Sequence, residues 1–255
     1  MKIILSPAKR MREDRDDLSY KEMPLFIDRT EKILDYLKSL SHEDLKKLWK
    51  CNDSIAEQNF ARLEHMDLYD FLTPAILSYD GIAFQYMAPS VFEYGHFDYV
   101  EAHLRILSGF YGVVRPMDGV TPYRLEMQSK ANVGGAKDLY EFWGKDIYDA
   151  VRDESGIIIN LASNEYSRCV EDYITDKDRY ITVTFCEKMK GKLVTKGTYA
   201  KMARGDMVRF MAENSIEDPE DIKKYDRLNY VLREDLTKDT EYVFERIPEK
   251  KEKML

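Results

Sequence analysis

Cysteine is scarce in this chain of 255 residues, and its spacing excludes the protein classes that depend on it. The three cysteines, Cys51, Cys169 and Cys186, are odd in number, lie far apart and form no CxxC pair. A disulfide scaffold or a cysteine-rich zinc site would need close, paired cysteines. The pattern therefore predicts free thiols, as is usual in a reducing cytoplasm.

Long apolar runs are also missing. No stretch approaches the roughly 18 apolar residues that indicate a membrane-spanning helix. The opening residues, MKIILSPAKR, are too short an apolar run for a signal peptide, and a proline interrupts them. We therefore expect a cytoplasmic protein without a membrane partner.

The sequence lacks the common metal, cofactor and nucleophile motifs. Its four histidines form no HExxH pattern, and Ser163 has no G-x-S-x-G elbow around it. The glycine pair at 134–135 matches neither a P-loop nor a dinucleotide fingerprint. We predict no metal site and no cofactor.

Positive charge is in the minority, but it is concentrated. The chain has 39 basic and 47 acidic residues, a net charge of -8, which by itself argues against nucleic acid as a partner. Residues 105–137 hold five basic and two acidic residues, and residues 196–209 hold four and one, so each stretch is +3. The acid excess lies in residues 11–72 and 210–255. We therefore predict a basic cleft on an acidic body.

Apolar segments alternate with helical patterns, which is typical of an α/β fold. Buried strands are predicted at 2–5 and 156–161, and helices at 96–107, 137–152 and 198–214. A glycine turn at 190–192 predicts a hairpin between strands at 180–185 and 193–198. Without repeats or a flexible linker, we predict a single mixed-sheet domain with surrounding helices at 1–248, and a charged tail at 249–255.

Polar residues directly follow several predicted strands. In open α/β sheets, ligands bind where the strand ends release their loops. If these segments converge, their polar residues surround one cleft. The residues concerned are Ser6, Lys9, Arg115, Asn160, Ser163 and Glu165. A second interpretation stays open, in which the arginines pair with internal acids, for example Arg124 with Glu126.

Several segments, in this order and spacing, resemble the YaaA family of peroxide stress resistance proteins. They are SPAK at 6–9, HLRILSGFYGVVRPMD at 103–118, PYRLEM at 122–127, KDLYEFWG at 137–144, NLASNEY at 160–166 and AKMARG at 200–205 with Arg209. The resemblance covers nearly the whole chain. It implies a cytoplasmic bacterial protein with the single-domain α/β architecture called the cantaloupe fold.

The resemblance also implies DNA binding through a positively charged cleft and a helix-hairpin-helix element, and protection of DNA by limiting unincorporated iron. The positions that match the family and can bind DNA or another anion are Ser6, Lys9, Arg105, Arg115, Tyr123, Arg124, Lys137, Asn160, Ser163, Tyr166, Lys201, Arg204 and Arg209. For the hairpin we consider residues 54–62, where Glu57 replaces the expected glycine, and residues 107–112.

Two functions follow from these residues. The first is a stress protein that binds DNA without sequence specificity. The alternative is an enzyme acting on a nucleotide, a phosphate ester or a modified base, with Glu126 or Glu165 as the general acid or base. Direct iron chelation is a third possibility that no ligand cluster in the sequence supports.

Overall fold

A computed structural model gives the fold and describes residues 1–13 and 18–247, so the predicted tail at 249–255 lies outside the described residues. Within them, the strands are β1 (Lys2–Leu5), β2 (Thr73–Pro74), β3 (Leu104–Ser108), β4 (Gly112–Val114), β5 (Gly119–Val120), β6 (Ile157–Leu161), β7 (Arg179–Met189), β8 (Lys192–Val194), β9 (Tyr230–Leu232) and β10 (Glu241–Arg246).

The α-helices of the same described ranges surround these strands. They are α1 (Ile27–Ser39), α2 (His42–Trp49), α3 (Asp53–Glu64), α4 (Ala75–Ser78), α5 (Ile82–Met87), α6 (Tyr94–His103), α7 (Leu139–Trp143), α8 (Asp146–Val151), α9 (Asn164–Glu171) and α10 (Gly197–Glu213). None of them is long and apolar enough to cross a membrane.

The main sheet is mixed and runs in the order β4-β3-β1-β6-β7-β10-β9, with β8 paired to β7. Its five inner strands, from β3 to β10, are parallel. Their apolar runs are buried, and Ile3, Ile4 and Ile159 have no exposed surface. Continuous apolar runs of this kind are typical of parallel strands that are covered on both faces. The prediction of a single α/β domain with a mixed sheet is confirmed.

The connections leave the two central strands in opposite directions. The chain passes from β1 to β3 on one side of the sheet centre, whereas β6 continues to β7 on the other side. Leu5 and Leu161, the last residues of β1 and β6, lie opposite each other. A crevice opens at such a switch point, outside the carboxyl ends of the strands.

Two predicted helices differ in the structure. The helix predicted at 96–107 ends at His103, because the residues from Leu104 onward pair in parallel with β1. The residues that follow the predicted helix turn β3 into β4. The helix predicted at 137–152 is divided into α7 and α8. Gly144 lies between them with a φ of 53°, a conformation that ends a right-handed helix.

Neither segment considered for the hairpin is a turn between helices. Residues 54–62 lie inside the continuous helix α3, with Glu57 exposed to solvent. Residues 107–112 connect the antiparallel strands β3 and β4. The turn between α2 and α3 precedes the first segment and contains Lys50 in the left-handed conformation.

The helix predicted at 198–214 is confirmed as α10, which packs against α5. A glycine inside the helix allows this close approach. A Cβ atom on Gly205 would lie 1.8 Å from the carbonyl oxygen of Ala83 in α5. The glycine costs helix stability relative to alanine, and close backbone packing offsets that cost.

We predict that Gly205→Ala destabilises the protein by about 1–3 kcal/mol or more, because the added methyl group forces α5 and α10 apart. The measurement is the free energy of unfolding in urea. The matched control is Gly197→Ala at the start of the same helix, where an added Cβ would meet nothing within 4 Å. Equal stability of the two variants would contradict the close-packing role.

Candidate functional site: a basic cavity at the sheet switch point

A cavity of about 440 Å³ lies at the carboxyl ends of β1 and β6. The loop after β1, the beginning of α9, the helix α5 and one face of α10 surround it. Of the residues predicted from the sequence to bind DNA or an anion, those that line it are Ser6, Lys9, Tyr123, Arg124, Ser163, Tyr166, Lys201 and Arg204. Both predicted acid-base residues, Glu126 and Glu165, line it as well.

Two serines join the central strand ends. The backbone N–H of Ser163 donates a hydrogen bond of 2.8 Å to Oγ of Ser6, and the two hydroxyl oxygens lie 3.1 Å apart. Small side chains at both positions let the loops approach each other. Ser163 is also the N-cap residue of α9, although its hydroxyl makes no capping bond. The side chain therefore points to its neighbour at the cavity rather than to its own helix.

One carboxylate on the cavity wall holds two cations. Nζ of Lys9 donates to Glu126 at 2.8 Å, and the guanidinium of Arg124 lies 3.6 Å from the other carboxylate oxygen. The pairing of Arg124 with Glu126, considered from the sequence, is confirmed. Nε of Arg124 is buried without a hydrogen-bond partner among the described residues. Glu126 therefore leaves part of this guanidinium unsatisfied.

The second carboxylate, Glu165, is partly buried in the first turn of α9. Burial raises the pKa of the Glu165 carboxyl, and the nearby Glu126 adds to the rise, although the N–H of Gln128 opposes it with a hydrogen bond of 3.2 Å.

Tyr123 lies under the cavity in a buried chain of hydroxyl groups. Burial raises the pKa of its phenol to about 12, so it is a neutral donor at pH 7.

Arg204 is the least satisfied charge of the cavity. Its Nε is buried, and within residues 1–13 and 18–247 its side chain has no hydrogen bond or ion pair. Burial lowers its pKa, yet a guanidinium stays protonated in proteins. Buried charges are normally paired, because an unpaired one loses its solvation without compensation. Arg204, with Lys201 one turn before it, thus lacks an anionic partner in the part of the chain that the structure describes.

The lining residues carry more positive than negative charge. Five are basic and three are acidic, which gives the wall a charge of +2 in a chain whose net charge is -8. Three of the basic residues have an acidic partner. Arg10 pairs with Asp80 at 2.7 Å, and Lys9 and Arg124 both lie next to Glu126. The excess therefore resides in the two basic residues of α10.

The structure places Arg115 far from the cavity, contrary to the expected convergence. Arg115 follows β4, which is antiparallel to β3, so the end of β4 lies at the edge where the parallel strands begin. Its guanidinium pairs with Asp118 at 2.8 Å and with Glu22 at 2.6 Å. Arg105 is at the beginning of β3, near the same edge, and donates to the carbonyl oxygens of Glu101 and Leu104.

Three further predicted residues do not line the cavity. Asn160 is buried below it and accepts a hydrogen bond of 2.8 Å from the N–H of Ala162, so it supports the loop after β6. Arg209 pairs with Glu213 at 2.6 Å, because it lies on another side of α10. Lys137 is exposed ahead of α7.

Sequence reasoning missed the contribution of residues 80–85. Asp80, Gly81 and Gln85 line the cavity from α5 and the turn before it. An added Cβ on Gly81 would lie 2.7 Å from Cβ of Ala8, so the glycine allows this turn to approach the loop after β1. The mid-helix glycine of α10 was the available signal, since such a residue often marks close packing of another element.

The cysteines are all free, and Cys169 and Cys186 are buried. Burial raises the pKa of the Cys169 thiol to about 12, which keeps it protonated at pH 7. Within residues 1–13 and 18–247, no group of three or more His, Cys, Asp and Glu side chains could hold a metal ion.

Residues 1–236 match a family model described as peroxide stress protein YaaA. The chain therefore belongs to the YaaA family of peroxide stress proteins, and the resemblance noted from the sequence is confirmed.

Close relatives cover nearly the whole chain. A UPF0246 protein of Agathobacter rectalis is 67% identical over 96% of this chain and 99% of its own length. A UPF0246 protein of Lachnoclostridium phytofermentans is 53% identical over 96% of each. One of Limosilactobacillus reuteri is 46% identical over 97% of this chain and 100% of its own.

We predict that Arg204→Met leaves the free energy of unfolding unchanged or raises it by up to about 1–3 kcal/mol, because methionine keeps the apolar stem and removes an unsatisfied buried donor. Urea unfolding at pH 7 without added ligand measures it. As a control, Arg209→Met removes an ion pair on the same helix, and its cost is expected to be at most about 1 kcal/mol. A large loss of stability in Arg204→Met alone would show that the guanidinium has a structural partner.

Proposed function

We propose that this YaaA-family protein acts in the cytoplasm in peroxide stress defence and binds DNA, without sequence specificity, through the basic cavity. The observation that carries the proposal is the partly exposed guanidinium of Arg204, whose Nε is buried and which has no hydrogen bond or ion pair among the described residues. A phosphate group supplies the missing acceptor, and arginine forks suit phosphate oxygens. Lys201 adds a second positive charge from the same helix.

The size of the cavity limits which part of DNA it can hold. Its volume of about 440 Å³ is in the range of small-molecule pockets, about 300–1,000 Å³. We infer that it takes one nucleotide of a strand rather than a whole duplex. The partly exposed apolar side chains of Pro7 and Ile82 lie in the same wall, and they can contact the sugar and base while Arg204 binds the phosphate.

Two further parts of the proposal rest only on the resemblance to the YaaA family. One is a helix-hairpin-helix contribution, for which the pair of α2 and α3 with its turn at Lys50 is the available element. The other is protection of DNA by limiting unincorporated iron. An anaerobic iron titration of the purified protein distinguishes direct chelation, which gives saturable binding, from an indirect effect.

We predict that Lys201→Ala with Arg204→Ala weakens binding of short single-stranded and duplex DNA by about tenfold to a hundredfold at low salt, because a hydrogen bond to a charged group contributes about 1.5–3 kcal/mol. Fluorescence anisotropy of labelled oligonucleotides over a range of salt concentrations provides the measurement. Wild-type affinity should fall steeply with salt, since released counterions drive phosphate binding.

The control for this experiment is Lys32→Ala with Lys38→Ala, which removes the same charge from the exposed side of α1. Its affinity for DNA should remain close to that of the wild type. If the cavity variant and the α1 variant bind equally well, the cavity is not the DNA site.

A second candidate function is catalysis on a nucleotide, phosphate ester or modified base in the same cavity. It is favoured by Glu165, because burial raises the pKa of this carboxyl toward the range where an acid can donate a proton near neutral pH. Lys9 and Arg124 lie beside the neighbouring Glu126 and could hold an anionic substrate.

If Glu165 is the acid or base, Glu165→Gln abolishes turnover of any nucleotide that the wild type converts, but retains its binding. The measurement combines a thermal-shift screen of nucleotides and sugar phosphates with product analysis by mass spectrometry. If Glu165 is the general acid, the wild-type rate should fall as the pH rises through the raised pKa of this carboxyl. Wild-type binding without turnover across the screen would argue for DNA binding alone.

A further inference from the structure

The hairpin of β7 and β8 extends past the rest of the sheet. β7 pairs with β6 up to Thr182 and with β10 up to Glu187. Beyond that point, Lys188 and Met189 pair with β8, whose other edge has no strand partner among the described residues. The hairpin therefore projects from the carboxyl edge of the parallel strands, which is also the edge that carries the cavity.

The tip of this hairpin is a two-residue turn. Lys190 has a φ of 49° and Gly191 a φ of 81°, the pattern of a type I′ turn, whose twist matches that of the two strands. An ion cluster at the base fixes the hairpin to α10. The buried Glu187 pairs with Lys196, and its second oxygen lies 3.9 Å from Arg246, which stacks on the ring of Tyr199 in α10.

Basic residues follow one another along the chain from the hairpin to the cavity, and of these Lys196 is paired with Glu187. Residues 188–205 contain six basic residues and no acidic one. Lys188, Lys190 and Lys192 are exposed, and in the part of the chain that the structure describes they have no hydrogen bond or ion pair. The last two basic residues of this run are Lys201 and Arg204, which line the cavity.

We propose that the hairpin of β7 and β8 is a basic arm that binds the backbone phosphates of a nucleic acid strand next to the nucleotide held in the cavity. This inference rests on the proposed function of the cavity. Three residues of each strand rise by about 10 Å, and stacked nucleotides rise by about 3.4 Å each along a strand. The arm therefore spans about three nucleotides beyond the cavity.

Charge and continuity favour a nucleic acid strand over a membrane surface. Of the apolar side chains of the arm, Val194 is half-buried, whereas Met189 and Leu193 are each about two-fifths exposed and alternate with lysines. An interfacial membrane segment needs a larger apolar face. A nucleic acid offers phosphates to the lysines and base faces to small apolar groups, and the charged path ends at an unpaired arginine that needs an anion.

The test compares the wild type with a variant carrying Lys188→Gln, Lys190→Gln and Lys192→Gln. The ligand is an oligothymidylate of about eight nucleotides, within the usual site sizes for single strands. Fluorescence anisotropy gives its dissociation constant at several salt concentrations. We expect the variant to bind this strand about tenfold more weakly at low salt, with a salt slope shallower by about 2, because each phosphate contact contributes about 0.7 to the slope.

Thymidine 5′-monophosphate, measured by calorimetry, separates the arm from the cavity. Its affinity should be the same for the wild type and the arm variant, because one nucleotide does not reach the arm, whereas Lys201→Ala with Arg204→Ala should weaken both ligands. The matched control is Lys32→Gln, Lys38→Gln and Lys177→Gln. These exposed lysines lie on α1 and in the loop before β7, whose other end bears the arm.

Four outcomes overturn the inference. If the arm variant binds the oligonucleotide as the wild type does while the cavity variant fails, the arm has no role and the proposed function stands. If the wild type binds neither ligand, both fail. If the arm lysines govern binding to anionic phospholipid vesicles but not to the oligonucleotide, the partner is a membrane. If the variant self-associates with unchanged affinity, the lysines only protect an open strand edge.

Discussion

The parallel pairing of β1 with β6 is the constraint on which the cavity depends. Both strands are short, apolar and buried, and their connections leave toward opposite sides of the sheet. Their loops therefore separate and leave a crevice at the carboxyl ends. The hydrogen bonds between Ser6 and Ser163 hold the two strand ends together at its base.

The packing of α10 supplies the charge of this crevice. Gly205 lets the helix lie against the backbone of α5, and this contact closes one wall of the cavity. The same face of α10 then buries Nε of Arg204 where no acidic side chain of the described residues reaches it. Pairing or removing such a charge would raise the stability of the folded protein. Its retention is understandable when an anionic ligand is its partner.

Strand ends and charge could be predicted from the sequence, but strand direction could not. Ser6 and Ser163 follow apolar runs of the parallel centre, so the expectation that they meet holds in the structure. Arg115 also follows an apolar run, yet β4 is antiparallel to its neighbour. No local sequence pattern distinguishes such a strand from a parallel one. The spacing of Val100, Leu104 and Leu107 suits a helix as well as a helix followed by a strand. Pairing with β1 decides between them. The wall from α5 depends on tertiary contacts across more than a hundred residues.

We propose that Arg204, whose Nε is buried at the sheet switch point, binds a phosphate of a nucleic acid strand. The most direct measurement is a crystal structure of the protein with a short oligodeoxynucleotide. We predict a phosphate oxygen at about 2.9 Å from Nε of Arg204, with the rest of that nucleotide inside the cavity. A strand bound on another surface, with Arg204 still unpaired and the cavity empty, would contradict it.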